Sequence, residues 1–276
     1  MTSLLAFFKL LRPLNLFLSV LAVLVSASIL HYWNGAVILK TAVTMAALNA
    51  AANAFNDYRD FESDKINRAD RPLPSGSLSR KSALIIAILL FLCGIILSTF
   101  INFPSFVIVT LISTPLMMLY SIRLKGTPLI GNLVVAAILG LAFLFAGTSF
   151  GNPQGLVVPA LLAFGFTFLR EIVKDIADVD GDRAAHLNTF PVKFGVQLSV
   201  RLVLGLCPLA GLGFLIPFLM GIYGDAYLII LILGIEIPLL FIVSSLVKSP
   251  SIKTCKTSSK IFKVCILSGL LAVYLG

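Results

Sequence analysis

Aspartate and glutamate are confined almost entirely to two short stretches of this chain, and their spacing suits metal or phosphate chemistry. The chain has 12 acidic residues, and only Asp225 and Glu236 lie outside these stretches, here called the first and second acidic windows. The windows hold Asp57, Asp60, Glu62, Asp64 and Asp70, and then Glu171, Asp175, Asp178, Asp180 and Asp182. In each window three aspartates stand at i, i+3 and i+7, at 57, 60 and 64 and again 118 positions later. On a helix each trio would share one face.

Two aspartate trios brought to one cavity would repel each other and resist ionisation unless a cation lay between them. Oxygen ligands favour Mg²⁺, Mn²⁺ or Ca²⁺, because zinc sites use His and Cys. Magnesium typically takes one or two carboxylates and fills its other positions with substrate phosphates. Asn53 and Asn56 extend the first face, where an amide can ligate a cation or bind phosphate. The alternative is that these acids cap loops and pair with neighbouring Lys and Arg.

Basic residues lie among and beside the acids, as a phosphate site requires. They could offset negative charge that the metal ions leave uncovered, although each is equally well explained as a determinant of membrane topology. The candidates are Arg68, Arg71, Arg123, Lys125, Arg170 and Lys174.

The elements that must position these residues are membrane-spanning helices. The chain is 59% hydrophobic and 12% charged, with a mean hydropathy of +1.04, and these values lie outside the range of soluble domains. A bilayer core of about 30 Å needs roughly 20 apolar residues per helix, and continuous runs of that size indicate an all-α fold. We predict one membrane-embedded domain, residues 1–276, with nine transmembrane helices in a bundle around a central cavity. The predicted spans are 14–33, 37–57, 82–101, 104–121, 128–149, 155–176, 197–219, 225–247 and 259–275.

Basic residues also predict the orientation of the bundle. They gather before the first span and around the connections after the second, fourth, sixth and eighth spans, whereas only Lys40 falls on the other face. The positive-inside rule makes the basic face cytoplasmic. This predicts a multi-pass protein of the cell membrane with its N-terminus in the cytoplasm. Both acidic windows begin at the cytoplasmic end of a span, so they are expected to meet there in an active site that faces the cytoplasm.

Two motifs resemble the UbiA superfamily of intramembrane prenyltransferases. Residues 56–76, NDYRDFESDKINRADRPLPSG, are similar to the family's first motif, NDxxDxxxD followed by an arginine and an RP(L/I)PSG turn. Residues 170–195, REIVKDIADVDGDRAAHLNTFPVKFG, resemble its second Asp motif, including the closing threonine, proline and FG. The stretch LYSIRLKG after the fourth span matches the family's tyrosine and basic loop. The resemblance extends over nearly the whole chain and implies Mg²⁺-dependent transfer of a prenyl group from a polyprenyl diphosphate.

The motifs and the spacing together give three sets of candidate site residues. The catalytic set is Asp60, Asp64, Asp178 and Asp182. The predicted Mg²⁺ ligands are Asn56, Asp57, Asp60, Asp64, Asp175, Asp178 and Asp182. The predicted substrate-binding residues are Asn53, Asn56, Arg68, Arg71, Tyr120, Arg123, Lys125, Arg170 and Lys174.

Within the superfamily, the sequence motif RE(I/L)VKDIxDVxGD most resembles the corresponding motif of the archaeal digeranylgeranylglyceryl phosphate synthases. That branch implies transfer of a geranylgeranyl group from geranylgeranyl diphosphate to the hydroxyl of geranylgeranylglyceryl phosphate in archaeal ether-lipid synthesis. The expected partners are therefore a polyprenyl diphosphate donor, a lipid acceptor and membrane lipids, with no nucleic acid. Aromatic prenylation of the quinone or chlorophyll type is the alternative within the superfamily. A cation-coupled transporter is an alternative of another class, but it would place its acids near the bilayer midplane.

Two chemical roles stay open at this point. The proton of the attacking hydroxyl could pass to a carboxylate not fully engaged by metal or to the released diphosphate. Glu236 lies within the eighth span, where a charge is expensive, and either a structural hydrogen bond or a role near the tail-binding cavity would explain it.

Overall fold

The computed structural model describes residues 3–276, and every regular element among them is helical. This confirms the all-α prediction. Twelve helices follow in chain order: α1 (Ser3–Leu11), α2 (Pro13–Ile29), α3 (Gly35–Arg59), α4 (Phe61–Asn67), α5 (Arg80–Thr99), α6 (Phe103–Leu124), α7 (Ile130–Ser149), α8 (Gln154–Ala184), α9 (Phe190–Phe194), α10 (Val196–Leu219), α11 (Asp225–Lys248) and α12 (Ile252–Leu275).

Eight helices of the described chain are long and apolar enough to cross a membrane, namely α3, α5, α6, α7, α8, α10, α11 and α12. The pair α1 and α2, bent by 46° at the break between them, would supply a ninth span. Each of the nine predicted spans therefore has a helix in the structure. The bend follows from the local sequence, because Arg12 takes a left-handed φ of 56° and Pro13 begins α2, where the missing N–H and fixed φ of proline are tolerated.

Three predicted boundaries were wrong. The first predicted span, 14–33, is helical only to Ile29, and His31 takes a left-handed φ of 49° just beyond that end. The sixth span was predicted to end at 176, but α8 continues to Ala184; the last was predicted to begin at 259, but α12 begins at Ile252. In α8 and α12 the backbone hydrogen bonds continue past the apolar stretch into charged sequence. Hydropathy therefore reports the part of a helix that suits lipid and not the whole helix.

Wider π-type turns interrupt two of the spans. They occupy Ile108–Ser113 in α6 and Ile232–Glu236 in α11, and each lies just before a proline, Pro115 or Pro238. A proline ring clashes with the carbonyl four residues earlier and removes one hydrogen bond, so a wider turn there relieves the clash. A third π-type turn, Tyr120–Leu124, ends α6 at residues that the sequence places in the site.

Two apolar clusters hold the bundle together. One joins α2, α3, α5 and α7, with Val23, Leu48 and Phe145 among its buried members. The other joins α8, α10, α11 and α12, with Ile172 and Phe262 among its buried members. The short helix α4 continues the chain beyond α3 and packs against α8. This packing brings the first acidic window against the second.

Candidate active site

A cavity of about 390 Å³ is lined by residues of α2, α3, α6, α7, α8, α10, α11 and α12. Much of its wall is aliphatic or aromatic, including Leu18, Met45, Leu48, Leu139, Phe143, Leu162, Phe166, Phe214, Leu231 and Ile235. Its charged and larger polar lining includes Arg12, Asn49, Asn53, Asn56, Tyr120, Arg170, Glu171, Lys174 and Lys263. The polar residues from α3 lie just before the first acidic window, and those from α8 lie at the start of the second. The cavity is therefore an apolar chamber whose polar end adjoins both windows.

Arg71 holds the buried carboxylates of the first window together. Asp57 and Asp64 are 3% and 1% exposed, and Arg71 Nη1 donates to Asp57 Oδ1 at 3.1 Å and to Asp64 Oδ2 at 2.6 Å. Arg12 donates a further hydrogen bond to Asp57 Oδ1. Burial and the positive charge of Arg12 lower the pKa of Arg71, while Asp57 and Asp64 act in the opposite direction. Asp57 and Asp64 thus share Arg71 as a partner.

Arg68 joins the two acidic windows directly. Its Nη1 lies 3.3 Å from Asp64 Oδ1, and its Nη2 lies 2.5 Å from Asp178 Oδ2. Burial acts to lower the pKa of Arg68, but Asp178 and Asp64 outweigh it, so the pKa lies above its ordinary value. The positively charged guanidinium therefore lies between the two windows, where the sequence predicts a bound metal cation.

Asn67 adds a second link between the windows. Its Nδ2 donates to the carbonyl oxygen of Asp178 at 2.9 Å, and its Oδ1 accepts the N–H of Gly181 at 3.2 Å. A Cβ at Gly181 would overlap the amide of Asn67, so this close approach of α4 to α8 requires glycine. The expected meeting of the two windows is confirmed by these contacts.

Asp60 pairs with Lys125, which follows α6. Burial acts to raise the pKa of Asp60, but the Lys125 ammonium outweighs it and holds the pKa below its ordinary value. This pair lines a second pocket of about 380 Å³ together with Arg123, which the sequence also places in the site. Asp60 and Lys125 are not part of the lining of the larger cavity.

The remaining predicted metal ligands accept hydrogen bonds from neutral side chains. Asp175 accepts a hydrogen bond from Asn132 Nδ2 at 2.7 Å, and Asp182 accepts one from Thr189 Oγ1 at 3.3 Å. Asn56 accepts a hydrogen bond from Ser121. Asn53, Arg170 and Lys174 line the larger cavity, where both basic residues pair with the buried Glu171. Most of the predicted substrate-binding residues therefore line one of the two cavities, whereas Arg68 and Arg71 line neither.

Comparison with known proteins identifies this architecture. The model of the UbiA prenyltransferase family matches residues 15–265. The chain belongs to the UbiA prenyltransferase family. It is therefore a multi-pass membrane prenyltransferase, as the two acidic motifs led us to expect.

Individual relatives support this assignment along the full length of the chain. The chain is 36% identical to the digeranylgeranylglyceryl phosphate synthase of Methanopyrus kandleri over 267 residues, which cover 97% of each protein. It is similar to a solved structure of a digeranylgeranylglyceryl phosphate synthase, with a TM-score of 0.75, 29% identity and coverage of 100% of this chain and 99% of the other. A UbiA homologue from Archaeoglobus fulgidus, solved with GPP and Mg²⁺, shares the fold with a TM-score of 0.66, 17% identity and coverage of 97% and 99%.

The donor set of the two windows suits a hard divalent cation. Carboxylates from both windows approach the single guanidinium of Arg68, and oxygen is the ligand that Mg²⁺ prefers. Among residues 3–276, no three His, Cys, Asp or Glu side chains are already arranged to hold a metal ion. The aspartates are instead held by basic, amide or hydroxyl groups. Metal binding would therefore require some of these partners to move away from their carboxylates.

Five residues of the candidate site are not predicted from the sequence. The sequence indicates Arg12 and Lys263 only as topology determinants. It assigns no role to Glu171, although Glu171 lies four residues before the aspartate trio of the second window and so on the same helix face. Asn132 and Asn67 had no assigned role. A polar residue at the end of an apolar run, as at Asn132, is the one signal that could have pointed to a partner for a carboxylate.

Proposed function

We propose that this chain transfers a geranylgeranyl group from geranylgeranyl diphosphate to the hydroxyl of geranylgeranylglyceryl phosphate, in a Mg²⁺-dependent reaction of archaeal ether-lipid synthesis. The observation that carries the proposal is the junction of an apolar cavity with two converging acidic windows. Similarity to the Methanopyrus kandleri synthase over 97% of both chains supports the choice of donor and acceptor.

The apolar cavity is suited to the prenyl tail. Its wall of leucine and phenylalanine side chains removes a hydrocarbon chain from water, which is favourable by roughly 25 cal/mol per Å² of buried apolar surface. The same wall excludes water from the allylic carbon, which becomes electron-poor as the bond to its diphosphate breaks. Reaction of that carbon with water would release a prenyl alcohol and waste the donor.

The diphosphate is assigned to the polar side of the site. In the proposal, Arg68, Arg71 and Lys125 exchange their carboxylate partners for phosphate oxygens. Asn56, Asp57, Asp60, Asp64, Asp175, Asp178 and Asp182 are the proposed Mg²⁺ ligands. Bound Mg²⁺ would supply Lewis-acid stabilisation of negative charge on the leaving diphosphate.

The reaction is a balanced substitution at the first carbon of the donor. The bond from that carbon to the diphosphate oxygen breaks, and both electrons leave with the diphosphate. The acceptor hydroxyl oxygen forms the new ether bond and passes its proton to the released diphosphate or to a carboxylate that metal does not fully engage. The residues of the chain contribute by holding the diphosphate, stabilising its charge and keeping water away, which are effects of position and electrostatics.

We also propose that residues 1–276 act as a single catalytic domain with the acidic windows on the cytoplasmic side. The distribution of Lys and Arg supports this orientation, since the basic connections lie on the same face as both windows. Attachment of a tag to each end, with accessibility measured in sealed vesicles, tests the orientation. A periplasmic or extracellular N-terminus would contradict it.

The proposed reaction can be tested with purified protein, Mg²⁺, labelled geranylgeranyl diphosphate and a panel of acceptors. We expect an ether product with geranylgeranylglyceryl phosphate and none with 4-hydroxybenzoate, with one diphosphate released for each product. An aromatic product alone would replace the proposal with quinone-type prenylation. Asp60→Asn and Asp178→Asn should insert normally but lose turnover, and activity retained in both would remove the metal assignment.

A further inference from the structure

The charged lining of the larger cavity is predominantly basic. Arg12, Arg170, Lys174 and Lys263 line it, whereas Glu171 is the one acidic residue in its lining. Asp57, outside the lining, pairs with Arg12. Excess positive charge inside an apolar bundle is costly unless an anion offsets it. The composition of this cavity therefore indicates that it binds an anionic group.

Arg170 has a buried guanidinium N–H that finds no hydrogen-bond partner among residues 3–276. Its Nη1 donates to Glu171, but its Nε is buried and has no hydrogen-bond partner. The N–H groups of a guanidinium form a fixed fork that matches two oxygens of a phosphate. A small shift of the guanidinium toward the cavity would therefore let Arg170 donate to an anion there while its Nη1 keeps the contact with Glu171.

Lys263 faces the same space from α12. Its exposed side chain lines the cavity, and it lies close enough to Arg170 and Arg12 for their charges to act on it. None of the ion pairs found among residues 3–276 includes it. Lys260, one turn earlier on the same helix, is also exposed but does not line the cavity. The position of Lys263, and not merely its charge, distinguishes it from its neighbour.

The basic residues beside the acidic windows form a separate group. Arg68, Arg71 and Lys125 each pair with an aspartate of the first window, and none of the three lines the larger cavity. The proposed reaction needs two anionic groups bound at once, the donor diphosphate and the acceptor phosphate. The structure offers two adjoining basic groups, which meet at Asp57, where Arg12 of the cavity and Arg71 of the window both donate.

We propose that Arg170 and Lys263 bind the phosphate of the lipid acceptor, apart from the residues that bind the donor diphosphate. This inference rests on the proposed function, since it assigns a subsite to the acceptor of that reaction. It makes the enzyme selective for a prenylated glycerol that carries a phosphomonoester. A neutral prenylated glycerol leaves both cations without their anion.

The test replaces Lys263 by Gln and compares it with Lys260→Gln. Lys263→Gln should raise the KM for geranylgeranylglyceryl phosphate about tenfold, since a hydrogen bond to a charged group is lost, and change the KM for geranylgeranyl diphosphate less than about twofold. Lys263→Arg should restore most of the acceptor affinity, and Lys260→Gln should behave as wild type. Wild type should prefer the phosphorylated acceptor to geranylgeranylglycerol, and Lys263→Gln should lose most of that preference.

Direct binding separates failure of this inference from failure of the proposed function. Labelled geranylgeranylglyceryl phosphate is titrated into wild type and into Lys263→Gln without donor. Weaker binding to the variant supports the subsite even if another reaction is later assigned. Equal binding overturns the subsite, and so does a parallel rise in both KM values, which would place Lys263 at the diphosphate. If wild type makes no ether product, the proposed function fails whatever the titration gives.

Discussion

Arg68 contacts both acidic windows, so its removal is the sharpest test of how the site is held together. Its partners Asp64 and Asp178 are 1% and 16% exposed, and Arg68 itself is 29% exposed. Removing one partner of a fully buried ion pair costs about 3–5 kcal/mol, whereas an exposed pair contributes about 0–1 kcal/mol. Asp64 would keep Arg71 at 2.6 Å. We therefore expect Arg68→Gln to lower the free energy of unfolding by about 1–2 kcal/mol.

The cysteines of the chain provide the assay. Cys207, Cys255 and Cys265 are buried and free, so a thiol-reactive dye reports their exposure on heating, while exposed Cys93 gives a constant background. A loss of 1 kcal/mol corresponds to about 2–4 °C in Tm for a chain near this size. In detergent without divalent cations, the Tm of Arg68→Gln should therefore fall by about 2–8 °C. Added Mg²⁺ should narrow the gap, because the proposed metal would replace the missing charge between the windows.

Lys65→Gln is the matched control on the same helix. Lys65 pairs with Glu62, but the two side chains are 48% and 64% exposed, so losing the pair should change the unfolding free energy by less than about 0.5 kcal/mol. The reasoning is refuted if Arg68→Gln and Lys65→Gln have the same Tm without divalent cations. Equal prenyl transfer by the two variants would further show that the bridge between the windows has no part in catalysis.

Three further changes test other parts of the site. Lys125→Met should lower the Tm at neutral pH, because Lys125 overcomes the effect of burial and holds the pKa of Asp60 below its ordinary 3.8. A depressed folded-state pKa stabilises the fold above the unfolded value, so the difference from wild type should shrink as the pH falls below about 3.8 in a Tm series. Gly181→Ala should lower the free energy of unfolding by about 1–3 kcal/mol and reduce turnover, because its new Cβ overlaps Asn67. Thermal unfolding measures the first effect, and product formation measures the second. Ala142→Phe places a larger side chain in the cavity wall and leaves less room for a long prenyl tail. When the two donors compete, the ratio of kcat/KM for geranylgeranyl diphosphate to kcat/KM for geranyl diphosphate should therefore fall at least about tenfold.

Each of these predictions has a contrary outcome. A pH-independent Tm difference for Lys125→Met would show that it acts through packing and not through the Asp60 charge. Gly205→Ala is the control for Gly181→Ala, because a Cβ at Gly205 meets nothing within 4 Å, and equal losses in both would point to general helix effects. An unchanged donor preference in Ala142→Phe would place the prenyl tail elsewhere.

Much of the fold could be predicted because a bilayer imposes a simple rule on sequence. Apolar runs of the required length located a helix for every predicted span, and the i, i+3, i+7 spacing placed the aspartates on helix faces. Hydropathy could not find the extension of α8 to Ala184, since the polar end of a helix carries no apolar signal. The same limit hid the early start of α12 at Ile252.

The partners of the carboxylates could not be predicted in the same way. Asn67 and the Asp178 carbonyl are 111 positions apart, and the packing of α4 on α8 decides that they touch. The role of Arg12 depends on a left-handed backbone between two helices, which a basic residue before a proline does not specify. Sequence therefore located the acids but not the side chains that neutralise them.

That neutralisation bears on the order of events in the site. Asp57, Asp64 and Asp178 are held by Arg12, Arg68 and Arg71, so each of these acids has a positively charged partner. A metal ion that takes these carboxylates displaces cations, and a diphosphate that takes the cations leaves carboxylates uncovered. Either ligand alone leaves unpaired charge in a poorly hydrated place, which is costly, whereas the two together restore the balance. In the proposed reaction, the arrangement therefore favours joint binding of Mg²⁺ and donor, because each would compensate the charge that the other uncovers.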